Sequence, residues 1–185
     1  MKKIVLTFGL ISGAVAAVLM FSTMLFADRI GFDRGLIVGY TTIVVSLLFV
    51  PFGIRAYREN VGGGHITFGR AFAVGILITL ISCVCYVVAW EILYFNFMPD
   101  FAEKYTAYMV EKARAAGASQ QAIEATRQEM KNMKAMLDNP LINAALAFIE
   151  PLPVGLIITL VSAAILRKKP RSNDREEVVT PVVST

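Results

Sequence analysis

Soft metal ligands are almost absent, with one histidine and two cysteines in 185 residues. His65 is remote from Cys83 and Cys85, no cluster stands at ligand spacing, and neither a metal nor any other cofactor is expected. The two cysteines lie two apart in a helical stretch, which turns their side chains about 200° from each other and prevents a disulfide between them. Charge is scarce too, at 17% of residues against about 25% in an average soluble domain. No nucleophile stands beside a base and no acids form a close pair, so no catalytic residue is named and an enzyme is not expected. No nucleic-acid partner is expected either.

Hydrocarbon takes the place of the missing charge. The chain is 56% hydrophobic, its mean hydropathy is +0.62, and the apolar residues come in blocks. Crossing roughly 30 Å of lipid takes about 20 such residues. Four stretches meet or approach that length: Ile4 to Ala27, Leu36 to Ile54, Ala71 to Met98 and Leu141 to Leu166. The first two hold no charge, and the others hold one each, Glu91 and Glu150. Pro51, Pro151 and Pro153 would break soluble helices, but membrane helices tolerate proline where neighbours satisfy the freed carbonyls.

The expected fold is an all-α integral membrane protein. Residues 1–169 form one membrane domain of four transmembrane helices, with a helical hairpin at 99–140 between the third and fourth and a disordered cytoplasmic tail at 170–185. Lys2-Lys3 ahead of an apolar run has the form of a secretory leader. Yet Ala14-Val15-Ala16 is followed by eleven more mostly apolar residues, and Leu25-Phe26-Ala27 is a poor cleavage sequence, so an uncleaved first helix is expected.

Basic residues near span ends set the orientation. With the N-terminus inside, ten bases are cytoplasmic: Lys2, Lys3, Arg55, Arg58, Arg70, Arg167, Lys168, Lys169, Arg171 and Arg175. The eight on the other side are Arg29 and Arg34 in a short loop, and six spread over the 99–140 segment. Arg167-Lys168-Lys169-Pro170-Arg171 abuts a span end directly, so both termini are expected to be cytoplasmic. The basic start of the tail is read chiefly as a topology determinant, with contact to anionic headgroups as the alternative.

In the 99–140 segment, Phe101, Tyr105, Tyr108 and Lys112 step at three and four, as do Ile123, Met130, Met133 and Leu137. Gly117 suits a helix C-cap and Ser119 the N-cap of a second helix. The stripes are expected to pack the two helices together. Two alternatives are an adaptable Met130, Met133 and Met136 surface and pairing between copies along Ile123, Thr126, Met130, Met133 and Leu137.

The loop Asn60 to Arg70 has phosphate-loop glycine spacing from Gly64 to Gly69, but Arg70-Ala71 replaces the lysine and hydroxyl that such a loop needs, and no strand precedes it. Its glycines are read as a tight turn with positive backbone angles, and His65 as an incidental loop residue.

Gly39-Tyr40-Thr41, Gly53-Ile54-Arg55, Gly63-Gly64 with Ile66-Thr67-Phe68-Gly69, Pro99-Asp100-Phe101 and Ala163-Ala164-Ile165-Leu166-Arg167-Lys168-Lys169 together resemble a bacterial family. It is the membrane-protein family known as domain of unknown function forty-one ninety-nine, and the resemblance runs from Lys3 to about Lys169. It implies a bacterial inner-membrane protein and carries over no catalytic residue.

Membrane helices associate through small residues and hydroxyls. Gly9, Gly13 and Ala17 form such a ridge on the first span. Val74 to Ser82 repeats in Val154 to Ser162 with six of nine positions identical. Antiparallel spans would set Gly75 level with Ser162, Thr79 with Thr159 and Ser82 with Gly155. Both copies fall in the same half of the expected bilayer, unlike an inverted repeat, so the repeat is read as convergent composition and not as duplication.

Glu91, beside Trp90 and Tyr94, reads as part of an interfacial belt. Glu150 sits deeper, where Pro151 and Pro153 are expected to interrupt the helix. One reading is a kink whose carboxylate reaches interfacial water or a neighbouring helix. The other is a polar site of Glu150 with Glu91 and Asn96 that binds a cation or exchanges a proton. At the level of function, a structural or interaction component is expected, its partners being the lipid bilayer and a second copy or a membrane or periplasmic protein. The alternative is a small oligomeric transporter or channel subunit.

Overall fold

The computed structural model describes residues 1–168 of the chain, and the expected tail lies outside the described residues. Among the described residues eight α-helices follow one another: α1 (Lys2–Leu25), α2 (Ala27–Leu47), α3 (Phe49–Asn60), α4 (Phe68–Ile92), α5 (Phe101–Ala115), α6 (Gln120–Leu137), α7 (Pro140–Ile149) and α8 (Pro151–Leu166). A π-helical turn, Leu93–Phe97, extends α4. Lys2–Leu25, Arg29–Asn60, Phe68–Phe97 and Pro140–Leu166 are each long and apolar enough to cross a membrane.

The joints follow from backbone chemistry. Pro51 has no N–H for the carbonyl of Leu47, and α2 gives way to α3 at Leu48. The short loop expected at residues 28–35 is helical on both sides of a single break, Gly31, whose φ of 68° and ψ of 167° suit glycine alone. Beyond Ile54 hydropathy falls, yet α3 runs on to Asn60 because Arg55 and Glu59 pair one turn apart at 2.8 Å. The apolar pattern ends there while the helix continues.

Gly63 and Gly64 take the positive φ values the turn before α4 requires, 57° and 83°. Thr67 then caps α4, accepting from the Arg70 amide. Ile66 and Lys168 exchange two backbone hydrogen bonds of 3.0 and 2.9 Å, and Arg58 Nη1 donates to the Leu166 carbonyl at 3.3 Å. A cation therefore meets the negative end of the α8 dipole.

The core lies where α1, α3, α4 and α8 converge, around Val50, Ile54, Val74, Ile78 and Ala163, all fully buried. Between α5 and α6, the Ala118 amide bonds to Ala113 and the Gly117 amide to Arg114, which closes α5 with a Schellman turn at a Gly117 φ of 75°. Ser119 caps α6 by accepting from the Ala122 amide.

The expectation that both stripes join α5 to α6 needs correction. On α6, Ile123 and Met130 are buried within the chain. The aromatic stripe of α5 turns to the bundle instead. Phe32 packs against Phe101, Tyr105 and Tyr108, and Trp90 and Tyr94 pack against Phe101. Six rings gain more by stacking together than by covering a narrow helix pair. Of the residues named for the two alternatives on α6, Ile123 and Met130 are buried within the chain, Thr126, Met133 and Leu137 are half-buried and Met136 is exposed.

A candidate polar site at the break between α7 and α8

Pro151 and Pro153 cannot donate to the carbonyls of Ala147 and Ile149, which ends α7 and starts α8. Glu150 between them keeps helical torsions (φ −62°, ψ −54°), and its amide still bonds to Leu146 at 3.2 Å. The expected interruption is thus a loss of hydrogen bonds within a continuing helical path and not an unwound stretch.

Three aromatic residues on one face of α4 and its π turn, spaced by four, reach across to this region. Tyr86 donates its hydroxyl to Glu150 Oε2 at 3.0 Å. Trp90 Nε1 donates to Asn143 Oδ1 at 2.7 Å, and Tyr94 donates to Asp138 at 3.5 Å. Asn143 is 0% exposed and its amide donates to the Leu137 carbonyl at 2.9 Å, closing the end of α6. Asn139 caps α7 by accepting from the Leu141 and Ile142 amides. Buried tyrosine and tryptophan need partners for their polar edges, and here each finds one in the fourth apolar helix or the residues just before it.

The carboxylates are not assembled as expected. Glu91 lies five residues beyond Tyr86, about 140° around the helix, and its Oε1 is buried with no hydrogen-bond partner in the structure. Asn96 is exposed and donates to the Ile92 carbonyl of its own helix. Glu150 pairs instead with Tyr86. The overlooked signal was the spacing Tyr86, Trp90, Tyr94, which puts three donors on one stripe.

Below this site the small residues hold the helices close. A Cβ on Gly9 would come within 2.8 Å of Ile81, and one on Gly13 would overlap Cys85. Ser12, between them, donates to the Ser46 carbonyl at 2.7 Å and lies 2.8 Å from the Ser82 hydroxyl. The ridge includes Ser12 and Ala16, both buried, while Ala17 is half-buried.

Gly75 faces Thr159, 2.8 Å from where its Cβ would be, and Gly155 faces Thr79. The hydroxyls of Thr79 and Thr159 lie 3.2 Å apart. Glycine of each helix meets threonine of the other, so the two copies of the near-repeat pack as a local two-fold. Thr79 thus stands opposite Thr159, while the nearest neighbour of Gly75 is Thr159 and not Ser162, and that of Gly155 is Thr79 and not Ser82. Ser82 turns to Ser12 on α1, and Ser162 is 8% exposed. Cys83 and Cys85 are free thiols.

At the α5 end, Lys112 Nζ lies 2.8 Å from Asp33 Oδ1 and donates to Tyr108 at 3.0 Å, and Tyr108 also donates to Asp33. The hydrogen bond to Asp33 is the largest of the effects that raise the Lys112 pKa above its ordinary value. Among the described residues no group of three or more His, Cys, Asp or Glu side chains could hold a metal.

The fold and this site define an all-α chain with four helical stretches long and apolar enough to cross a membrane, most of whose interior polar groups are paired between helices. Residues 7–168 match the family described as Protein of unknown function (DUF4199), and the chain belongs to that family. No curated protein and no solved structure matches it.

Proposed function

We propose that the chain is a multi-pass protein of the bacterial cytoplasmic membrane, with both termini cytoplasmic, that acts as a structural or interaction component and not as an enzyme. Its α5–α6 hairpin lies outside the bilayer on the far face and is held in a fixed pose for a protein partner. The observation that carries this reading is the attachment of the hairpin at both ends. Lys112, Tyr108 and Asp33 tie α5 to the start of α2, and Asn143 ties the end of α6 to Trp90. Orientation rests on the bases at the Arg58 and Lys168 end. A hairpin so anchored loses little further freedom on binding.

Photo-crosslinkers at Gln121 and Gln128, exposed on α6, test it in native membranes. A discrete protein adduct at both positions is expected, and lipid adducts alone would overturn the reading. The Tyr86–Glu150 pair at the proline break supports a second reading, a small oligomeric transporter or channel subunit. A proteoliposome flux that Glu150→Gln abolishes would put that reading first.

A further inference from the structure

At the end of the bundle where α1 starts and α3 finishes, a groove of about 360 Å³ runs between the two helices, walled by Phe8, Phe49 and Phe52 and rimmed by Arg55, Glu59 and Asn60. It passes from polar to apolar along α3, since Arg55 and Phe49 lie six residues, about 9 Å, apart. Phe8 sits against Gly53, 3.1 Å from where a Cβ would be. The helices run antiparallel, so Lys3, five residues before Phe8, is level with Arg58, five residues after Gly53.

Of the residues lining the groove, Arg55 and Glu59 carry opposite charges, and the positive excess lies just beyond them at the same level, on Arg58, Lys2 and Lys3. Glu59 accepts from Arg55 Nε at 2.8 Å and lies 3.4 Å from Arg58 Nη2, so one carboxylate is shared by two guanidiniums, and Lys2 and Lys3 stand at the same level uncompensated by any acid on α1. Arg55 is held through Nε, with its side chain 62% exposed. By contrast, the groove along α2 between Leu36 and Val45 has no charge on its walls, as ordinary hydrocarbon contact requires.

The geometry points to a binding site for an anionic phospholipid, its phosphate on Arg55 at the rim and one acyl chain laid along Phe52 and Phe49. This rests on the membrane placement proposed above and is independent of the partner reading. Guanidinium groups favour phosphate through forked, charge-assisted hydrogen bonds. Basic residues at the cytoplasmic surface draw anionic headgroups. A zwitterionic lipid brings its own cation to an end of the bundle where bases already outnumber acids, so the site discriminates by headgroup.

Native mass spectrometry of the full chain in detergent tests this, with phosphatidylglycerol and phosphatidylcholine of identical chains as probes. Wild type is expected to retain phosphatidylglycerol about five-fold better, the effect of one basic contact. Arg55→Gln removes that preference, and Ala56→Phe, which fills the groove without touching charge, weakens both lipids. Arg58 is left alone because it also caps α8. No preference in wild type, a preference that survives Arg55→Gln, or unchanged binding in Ala56→Phe would each overturn the site. So would displacement by glycerol phosphate at concentrations equal to the lipid. Carbonate extraction of the same membranes reports on membrane placement separately, and circular dichroism on the fold of each variant.

Discussion

From the Arg58 and Lys168 end to the middle of the bundle, helices meet through glycine, serine and threonine. Towards α5 and α6 they meet through tryptophan, tyrosine, asparagine and carboxylate. Where backbones approach closely, geometry is fixed by what cannot fit, and the hydroxyls of Ser12, Ser82, Thr79 and Thr159 are satisfied by neighbours at short range. Where large side chains hold helices apart, register depends on directional bonds between named partners. One half therefore tolerates loss of a hydrogen bond but not added volume, and the other tolerates neither loss of its amide nor of its ring partners.

The sharpest way to break this contrast is to add volume. Gly155→Leu and Gly75→Leu, which drive a side chain into Thr79 and Thr159, are expected to cost about 3 kcal/mol each, read as lowered unfolding temperature in detergent. Gly35→Leu and Gly39→Leu are the controls, since nothing lies within 4 Å of either position. Wild-type stability in the first pair, or equal loss in all four, would remove the distinction.

Next comes Asn143→Leu. It leaves the Trp90 N–H and the Leu137 carbonyl without partners, at about 2 kcal/mol. Trp90 is the only tryptophan, so its emission should move on substitution, and an unshifted spectrum would show that Asn143 does not hold it. Thr79→Val should cost much less, about 0.6 kcal/mol, as interhelical hydrogen bonds in membranes usually do. A loss as large as that of Asn143→Leu would mean that both halves depend on directional bonds.

The smallest effect belongs to the α5 clasp. Lys112→Gln is expected to leave global unfolding unchanged while amide exchange in α5 quickens. Because the Lys112 pKa is raised on folding, its contribution is complete below the unfolded value and is lost only as pH rises through the folded one. Exchange in wild-type α5, corrected for its intrinsic pH dependence, should thus stay flat between about pH 6 and 9. A change within that window would assign the clasp to another group.

Much of this was legible in the residues. Apolar blocks and the rarity of charge announced four long helices, because hydrocarbon admits no unpaired backbone and few ions. Gly117 and Ser119 marked a turn through local backbone preference alone. The glycine and hydroxyl positions were also visible as candidates, since small residues leave a pattern at helical spacing.

Partners were another matter. Nothing along the chain says that Ser82 turns to Ser12 and not to Gly155, that Glu150 meets Tyr86 and not Glu91, or that the α5 rings face Phe32. Periodicity gives each residue a direction around its own helix, which is a local property. Which helix stands in that direction, and at what level, depends on how all the apolar faces pack at once. The sequence by itself determined the four apolar stretches, the turn at Gly117 and Ser119, the joint at Pro151 and which faces were small or polar, because those follow from neighbours within a turn or two. Only the tertiary structure decided the pairings, because contacts between residues 64 to 80 positions apart, such as Tyr86 with Glu150 and Thr79 with Thr159, are set by the joint packing of four helices.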